Sequence, residues 1–181
     1  MTTMRTRLVR LGIACALAVP AAVGAVGAAG SGAQTPDEPV MHLSVNSSKV
    51  MDIPGGTHAA GTPLIQWEWH GTDNQLWKHL PFATIGDVDL VVIQSLESGL
   101  VLDVAGGSTA EGAAVVQNTW SGALSQIWWT PPFGDGDLFV NMSSAKVVDV
   151  SGASQEDGAP LIQWTWNGGP NQVWRFLLAD E

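Results

Sequence analysis

Gln66–Trp77 reads Gln-Trp-Glu-Trp-His-Gly-Thr-Asp-Asn-Gln-Leu-Trp, and the same frame returns at Gln117–Trp128 and Gln163–Trp174. In every copy an Asp precedes the first Gln by 14 residues (Asp52, Asp103, Asp149). The second Gln follows that Asp by 23 residues, at Gln75, Gln126 and Gln172, and a Trp stands two further on. A Gly lies nine residues after each Asp, at Gly61, Gly112 and Gly158. A fixed period held through three copies defines a repeat architecture before any local structure is considered. The units run over about 41–80, 94–130 and 140–176, within a domain of 41–181.

Outside the repeats the chain opens like an exported bacterial protein. Arg5, Arg7 and Arg10 precede an apolar stretch rich in Ala and Gly, and Ser31-Gly32-Ala33 offers a cleavage point. Residues 1–33 are therefore expected to be a secretory signal peptide, with Cys15 inside it, and 34–40 a short polar linker. The Gly content, Pro20 and the missing basic stop argue against a membrane anchor. Cleavage leaves no cysteine, which excludes disulfides, thiol catalysis and Cys-ligated metal. It also leaves four basic residues against 17 acidic ones, a net charge of −13. Nucleic-acid affinity rests on neutralising phosphates, so such a domain repels DNA and RNA. The mature protein is expected to be a secreted, extracellular monomer without membrane contact.

Short apolar runs punctuated by Gly, Pro, Ser and Asp make the domain all-β: Val50–Ile53, Leu64–Trp67, Leu90–Gln94, Leu100–Val104, Val115–Gln117, Lys146–Val150 and Leu161–Trp164. Strand alternation puts Met51/Ile53, Leu102/Val104 and Val148/Val150 on one face and the three Asp residues on the other. Each Asp is then expected at an exposed turn. The second join is five residues shorter than the first, so the connection holding Pro81 and Gly86 is read as the longer loop.

Two Trp positions recur in every unit (Trp69 and Trp77, Trp120 and Trp128, Trp166 and Trp174), which predicts a shared packing role for these six around a common core. The position two before Trp69 differs: Trp67, Asn118 and Trp164. A core does not need a ring that one copy lacks. Units one and three also keep His70 or Asn167, then Asn74-Gln75 or Asn171-Gln172, where unit two has Ser121 and Ser125-Gln126. An indole stacks on the C–H face of a pyranose, a carboxylate accepts hydrogen bonds from adjacent hydroxyls, and amides do both. The bland alternative is that the Asp residues cap turns and Trp67 and Trp164 fill surface gaps.

These residues resemble the ricin B-type (R-type) lectin domain, also termed family 13 of carbohydrate-binding modules. Residues 162–174, Ile-Gln-Trp-Thr-Trp-Asn-Gly-Gly-Pro-Asn-Gln-Val-Trp, follow the motif of one subtype throughout. The resemblance covers the whole chain after the leader. It implies a β-trefoil of three pseudo-symmetric lobes that binds galactose-type sugars or polysaccharides such as xylan and arabinan, with no metal or other cofactor. By position it implies sugar contacts from Asp52, Trp67, His70, Asn74 and Gln75 in the first lobe, and from Asp149, Trp164, Asn167, Asn171 and Gln172 in the third. Asp103 and Gln126 remain in the middle lobe, but Asn118, Ser121 and Ser125 put its pocket in doubt. Family lobes often carry a disulfide, and here Trp69 and Trp166 stand where one Cys would be.

Catalysis is disfavoured. Glycosidases hold two carboxyls about 5–9.5 Å apart, whereas Asp52 and Asp149 belong to different lobes, and no Ser-His-Asp set appears. A trefoil that binds protein rather than sugar is the stronger rival, because fold does not fix function. Asp135 and Asp137 are read as a solvated face rather than a calcium site.

Overall fold

The computed structural model describes residues 38–179; the expected leader, its cleavage point and residues 34–37 of the linker lie outside them. Within each unit two short strands pair antiparallel: Val50–Asp52 with Ile65–Trp67, Val101–Val104 with Val115–Asn118, and Val147–Val150 with Leu161–Trp164. The register is the same each time, with Met51 opposite Gln66, Leu102 opposite Gln117 and Val148 opposite Gln163. The first strand, Val40–Ser44, pairs along its length with the last, Trp174–Leu178, and also meets Trp77. This brings the two ends of the described chain together and closes the three lobes of a β-trefoil. Closure leaves fewer unpaired strand edges.

The core collects equivalent residues from each lobe. Met51, Leu102 and Val148, then Ile53, Val104 and Val150, are fully buried, as are Leu64, Val115 and Leu161. Trp77, Trp128 and Trp174 fill the centre at 0% exposure. Each indole N–H donates to the carbonyl just before its lobe's Asp, at Met51 (3.3 Å), Leu102 (3.1 Å) and Val148 (3.4 Å). The polar atom of a buried Trp is thereby satisfied. The other three recurrent Trp are not core residues, contrary to the sequence reading. They follow the strand ends and cover the barrel's flanks. Trp69 and Trp166 are half-buried over satellite clusters, and Trp120 is 43% exposed against Phe82. The expected long loop is in fact a hairpin. Trp77–Ile85 and Val88–Ser95 pair across Gly86-Asp87, with a register shift between Pro81 and Ala83 that absorbs one residue. Asp137 is half-buried, and burial pushes its carboxyl up to about 6.

The first Gln of each repeat locks one lobe to the next. Gln66 Nε2 donates to the carbonyls of Ser154 (3.0 Å) and Glu156 (2.9 Å). Gln117 does the same to Thr57 and Ala59, and Gln163 to Ser108 and Ala110. Each Oε1 accepts a hydroxyl from its own lobe, Ser47, Ser98 or Ser144, at 2.7 Å. The recurring glycines complete the joint. Gly61, Gly112 and Gly158 adopt φ of 81°, 76° and 80°, and their amides donate to the carbonyls of Gln117, Gln163 and Gln66.

One core position breaks the apolar rule. His42 is the counterpart of Ile93 and Phe139, ten residues before each Asp. It is fully buried, with its Nε2 2.9 Å from Nε2 of His79 and its ring among Trp77, Phe139 and Phe176. Burial, and then the adjacent His79, holds the His42 imidazole well below its usual range, and burial lowers His79 to about 4. Both rings are therefore neutral in the fold and charge on unfolding in acid. That contribution is present above about pH 6.5 and is lost as pH falls towards about 4. Asp52, Asp137 and Asp149, raised by burial, act in the opposite sense.

Two outcomes are expected. Trp174→Ala costs about 3–5 kcal/mol in denaturant unfolding, and Trp164→Ala much less; equal midpoints contradict the assignment of core and surface rings. Replacing the histidines by their counterparts from other lobes, His42→Ile with His79→Phe, flattens the fall in Tm between pH 7 and pH 4.5 relative to the parent. Parallel Tm–pH curves contradict a neutral buried pair.

Candidate functional site

In the first lobe Asp52 ends its strand on the face away from the core. Sequence reasoning left it at an exposed turn, but it is only 3% exposed, and Asp103 and Asp149 are 5% and 4%. The cause lies about twenty residues downstream. A three-residue 3₁₀ turn, Asp73–Gln75, folds back over the carboxylate. Gln75 Nε2 donates to Asp52 Oδ2 at 2.7 Å and to the Glu68 carbonyl at 2.9 Å, while Gln75 Oε1 accepts the His70 amide at 3.0 Å. Asn74 Nδ2 donates to the same Oδ2 (3.2 Å) and to the Ile53 carbonyl (3.0 Å). Burial raises the Asp52 carboxyl, and the bonds from Gln75, His70 and Asn74 counter it. A buried carboxylate needs such donors to stay ionised. Its Oδ1 accepts nothing among the described residues and is not sealed from solvent.

Around that oxygen opens a cleft of about 440 Å³ walled by Asp52, Gly55, Trp67, His70, Asn74 and Glu97. Trp67 is 41% exposed. Its ring edge lies on the neighbouring lobe at Gly158, where an added Cβ would be 3.7 Å away. His70 Nε2 lies 3.5 Å from Asp52 Oδ2.

The third lobe repeats the plan. Gln172 Nε2 donates to Asp149 Oδ2 at 2.7 Å and to the Thr165 carbonyl, its Oε1 accepts the Asn167 amide, and Asn171 Nδ2 donates to the Val150 carbonyl. Trp164 is 38% exposed and rests on Gly112 of the second lobe. Burial raises Asp149, countered by Gln172 and Asn171. In each of these two lobes the five expected residues cluster round one carboxylate, but Gln75 and Gln172 are fully buried with both amide atoms spent inside the protein, so they position the Asp rather than face a ligand.

The middle lobe differs as its sequence suggests. Asn118, in place of a Trp, turns its amide inward to donate to Asp103 Oδ2 at 3.1 Å, beside Gln126 Nε2 at 3.1 Å. Asp103 Oδ1 is sealed without a partner, and the Ser121 hydroxyl is spent on Gln126 Oε1. This lobe has neither an aromatic floor nor an open carboxylate oxygen.

Two contributors escaped the sequence reading. Glu97 reaches the first cleft from the second lobe and bonds His58 Nε2 at 3.1 Å; its counterpart Asn46 crosses from the first lobe to the Ala153 carbonyl beside the third cleft. Thr72 also lines the first cleft, where the other repeats carry Ala123 and Gly169. Neither position keeps its residue type between copies, so periodicity gave no signal.

The family described as ricin-type beta-trefoil lectin domain-like matches residues 37–86, 81–164 and 138–181. Among solved structures, a designed threefold-symmetric protein, ThreeFoil, aligns with a TM-score of 0.71 at 35% identity, over 77% of this chain and 97% of that one. An exo-β-1,3-galactanase of Clostridium thermocellum aligns with a TM-score of 0.72 at 31% identity over 80% of this chain, which corresponds to 31% of the galactanase. The agglutinin of Rhizoctonia solani shares the fold, with a TM-score of 0.70 at 23% identity over 81% of this chain and 99% of its own. A search of the curated proteins gives no match.

Proposed function

The chain belongs to the ricin-type β-trefoil lectin domain-like family, and from that membership we propose that it is a non-catalytic carbohydrate-binding protein working through its first and third lobes. The observation that carries this reading is the pairing, in these two lobes, of a half-exposed indole with a buried carboxylate whose second oxygen stays open. A sugar ring stacked on Trp67 or Trp164 brings its hydroxyls to that oxygen and to the flanking His70 or Asn167. Galactose-type sugars come first, with xylan- and arabinan-type polysaccharides next. The relation to a module-sized part of a galactanase supports that order. The basic and apolar start of the sequence fits export, so the target is extracellular glycan.

A second reading, docking of another protein, has one observation in its favour. Phe82, Trp120 and Leu124 are exposed, and Phe82 and Trp120 touch edge to face.

Each cleft is shallow and water competes for every hydroxyl, so a single site has a Kd in the millimolar to high-micromolar range, about −4 to −6 kcal/mol. Two sites on one rigid body raise polymer avidity by about 10²–10⁴ where the polymer spans both. A glycan and polysaccharide screen, followed by calorimetry with the monosaccharide that binds, tests this. The expected stoichiometry is two. Asp52→Ala or Asp149→Ala alone removes one site and cuts polysaccharide retention sharply, and the double variant binds neither and unfolds at a lower denaturant midpoint, because each change strands the buried Gln75 or Gln172 amide at about 1–3 kcal/mol. A screen in which no glycan binds rejects the lectin reading in favour of protein docking, and retention by the double variant rejects the two-cleft mechanism.

A further inference from the structure

A residue of the second lobe forms one wall of the first cleft, and its charge has no counterpart at the third. The backbone that carries it is clamped alike in all three lobes. The Leu96 amide donates to the Leu76 carbonyl at 2.9 Å, directly after the turn that covers Asp52, and the Ser98 hydroxyl donates to Gln117 Oε1 at 2.7 Å. Val45 and Ser47 make the same two bonds, to the Val173 carbonyl and Gln66 Oε1. Met142 and Ser144 make them to the Ile127 carbonyl and Gln163 Oε1. The residue between the two anchors is therefore delivered to the adjoining lobe whatever its type. It is Glu97 at the first cleft, Asn46 at the third and Ser143 at the middle lobe. Glu97 Oε1 lies 3.9 Å from where a Cβ on Gly56 would stand, and Asn46 Nδ2 bonds the carbonyl of Ala153, the counterpart of Gly56.

Glu97 lines the first cleft with Asp52 and is 34% exposed at side-chain level. Its Oε1 lies 3.1 Å from His58 Nε2, and its Oε2 accepts no hydrogen bond among the described residues. None of Lys49, Lys78, Lys146 and Arg175 lines this cleft. The first cleft thus sets carboxylates from two lobes around one ligand, where the third sets one carboxylate and a neutral amide. A cleft of about 440 Å³ is no wider than the reach of a charge, about 10 Å in 0.1 M salt and about 30 Å in 0.01 M. An anionic group on a sugar held there meets Glu97 in any pose. The sign of that contribution does not depend on the protonation of His70 or His58, because both imidazoles flank the cleft with or without the Glu97 charge.

We propose that Glu97 is a specificity-determining residue, supplied by one lobe to the site of another, that makes the first cleft discriminate against acidic sugars more strongly than the third, where Asn46 takes its place. The acidic sugars meant are those bearing a uronate or a sulfate. The proposal rests on the lectin reading. It divides the work of the two lobes on a glycan of mixed charge: the first settles on neutral residues, and acidic ones fall to the third.

The test uses the intact protein in buffer of about 0.01 M ionic strength at about pH 8.5, well above the ordinary imidazole value of about 6.5. Indole N–H signals of Trp67 and Trp164, assigned with Trp67→Phe and Trp164→Phe, report each lobe separately by NMR titration. The probes are methyl β-galactoside, the matching galacturonoside and its primary amide, and the same triplet built on methyl β-xyloside with the glucuronoside and its amide. Amide and carboxylate share a shape, so the ratio of their affinities isolates charge. That ratio is expected to be about three- to thirtyfold larger at Trp67 than at Trp164. In about 1 M sodium chloride, where screening acts within about 3 Å, the two ratios converge. Glu97→Gln keeps the size of the side chain and lowers the first-lobe ratio by at least about threefold, and Asn46→Glu raises the third-lobe ratio while leaving the first unchanged. A merely structural role for Glu97 moves the amide and carboxylate affinities together and leaves their ratio alone. Equal ratios at the two indoles of the parent overturn the proposal but not the lectin reading, as does a first-lobe ratio untouched by Glu97→Gln. If no neutral probe moves either signal, the proposal falls together with the lectin reading.

Discussion

One buried glutamine amide per lobe holds this molecule together. Gln66, Gln117 and Gln163 are fully buried, and each bridges two carbonyls of another lobe to a serine hydroxyl of its own. The three bridges run in one sense round the axis, so no lobe is closed without the next. Losing one such amide strands two buried carbonyls, at about 1–3 kcal/mol each. The same joint sets the clefts. It brings Gly158 under Trp67 and Gly112 under Trp164, so each exposed indole is braced by a lobe other than its own.

The second glutamine of each repeat does for the site what the first does for the fold. Gln75, Gln126 and Gln172 pull a turn over an Asp and hold one carboxylate oxygen, which leaves the fate of the other oxygen to decide function. In the first and third lobes it stays open beside a Trp. In the middle lobe Asn118 closes over Asp103 and the oxygen is sealed. The middle copy keeps the Gln–Asp bond and the Trp128 core contact, at the cost of one buried carboxylate oxygen without a partner.

The repeat period made the three lobes and the core face legible, because Met51, Leu102 and Val148 and their neighbours obey simple alternation, whereas the strand register appears only in the fold. The two clefts were legible too, since their residue types co-occur in two copies and lapse together in the third. Burial of the three Asp residues was not legible. Alternation reports which face a side chain takes, not what a turn twenty residues later lays over it. The flanking Trp69, Trp120 and Trp166 were misplaced for a related reason: recurrence shows that a position is needed, not that it is central. Glu97 and Asn46 come from adjacent lobes and change type between copies, so they surface only in three dimensions.

The central claim is that an open carboxylate oxygen beside an exposed indole makes a sugar site in two lobes and not in the third. The most direct measurement is a crystal structure of the protein soaked with the glycoside that binds best in a screen. The account predicts a sugar ring stacked on Trp67 and another on Trp164, each with hydroxyls on Asp52 or Asp149, and none over Asn118. Sugar bound against Asp103, or bound away from both indoles, would contradict it.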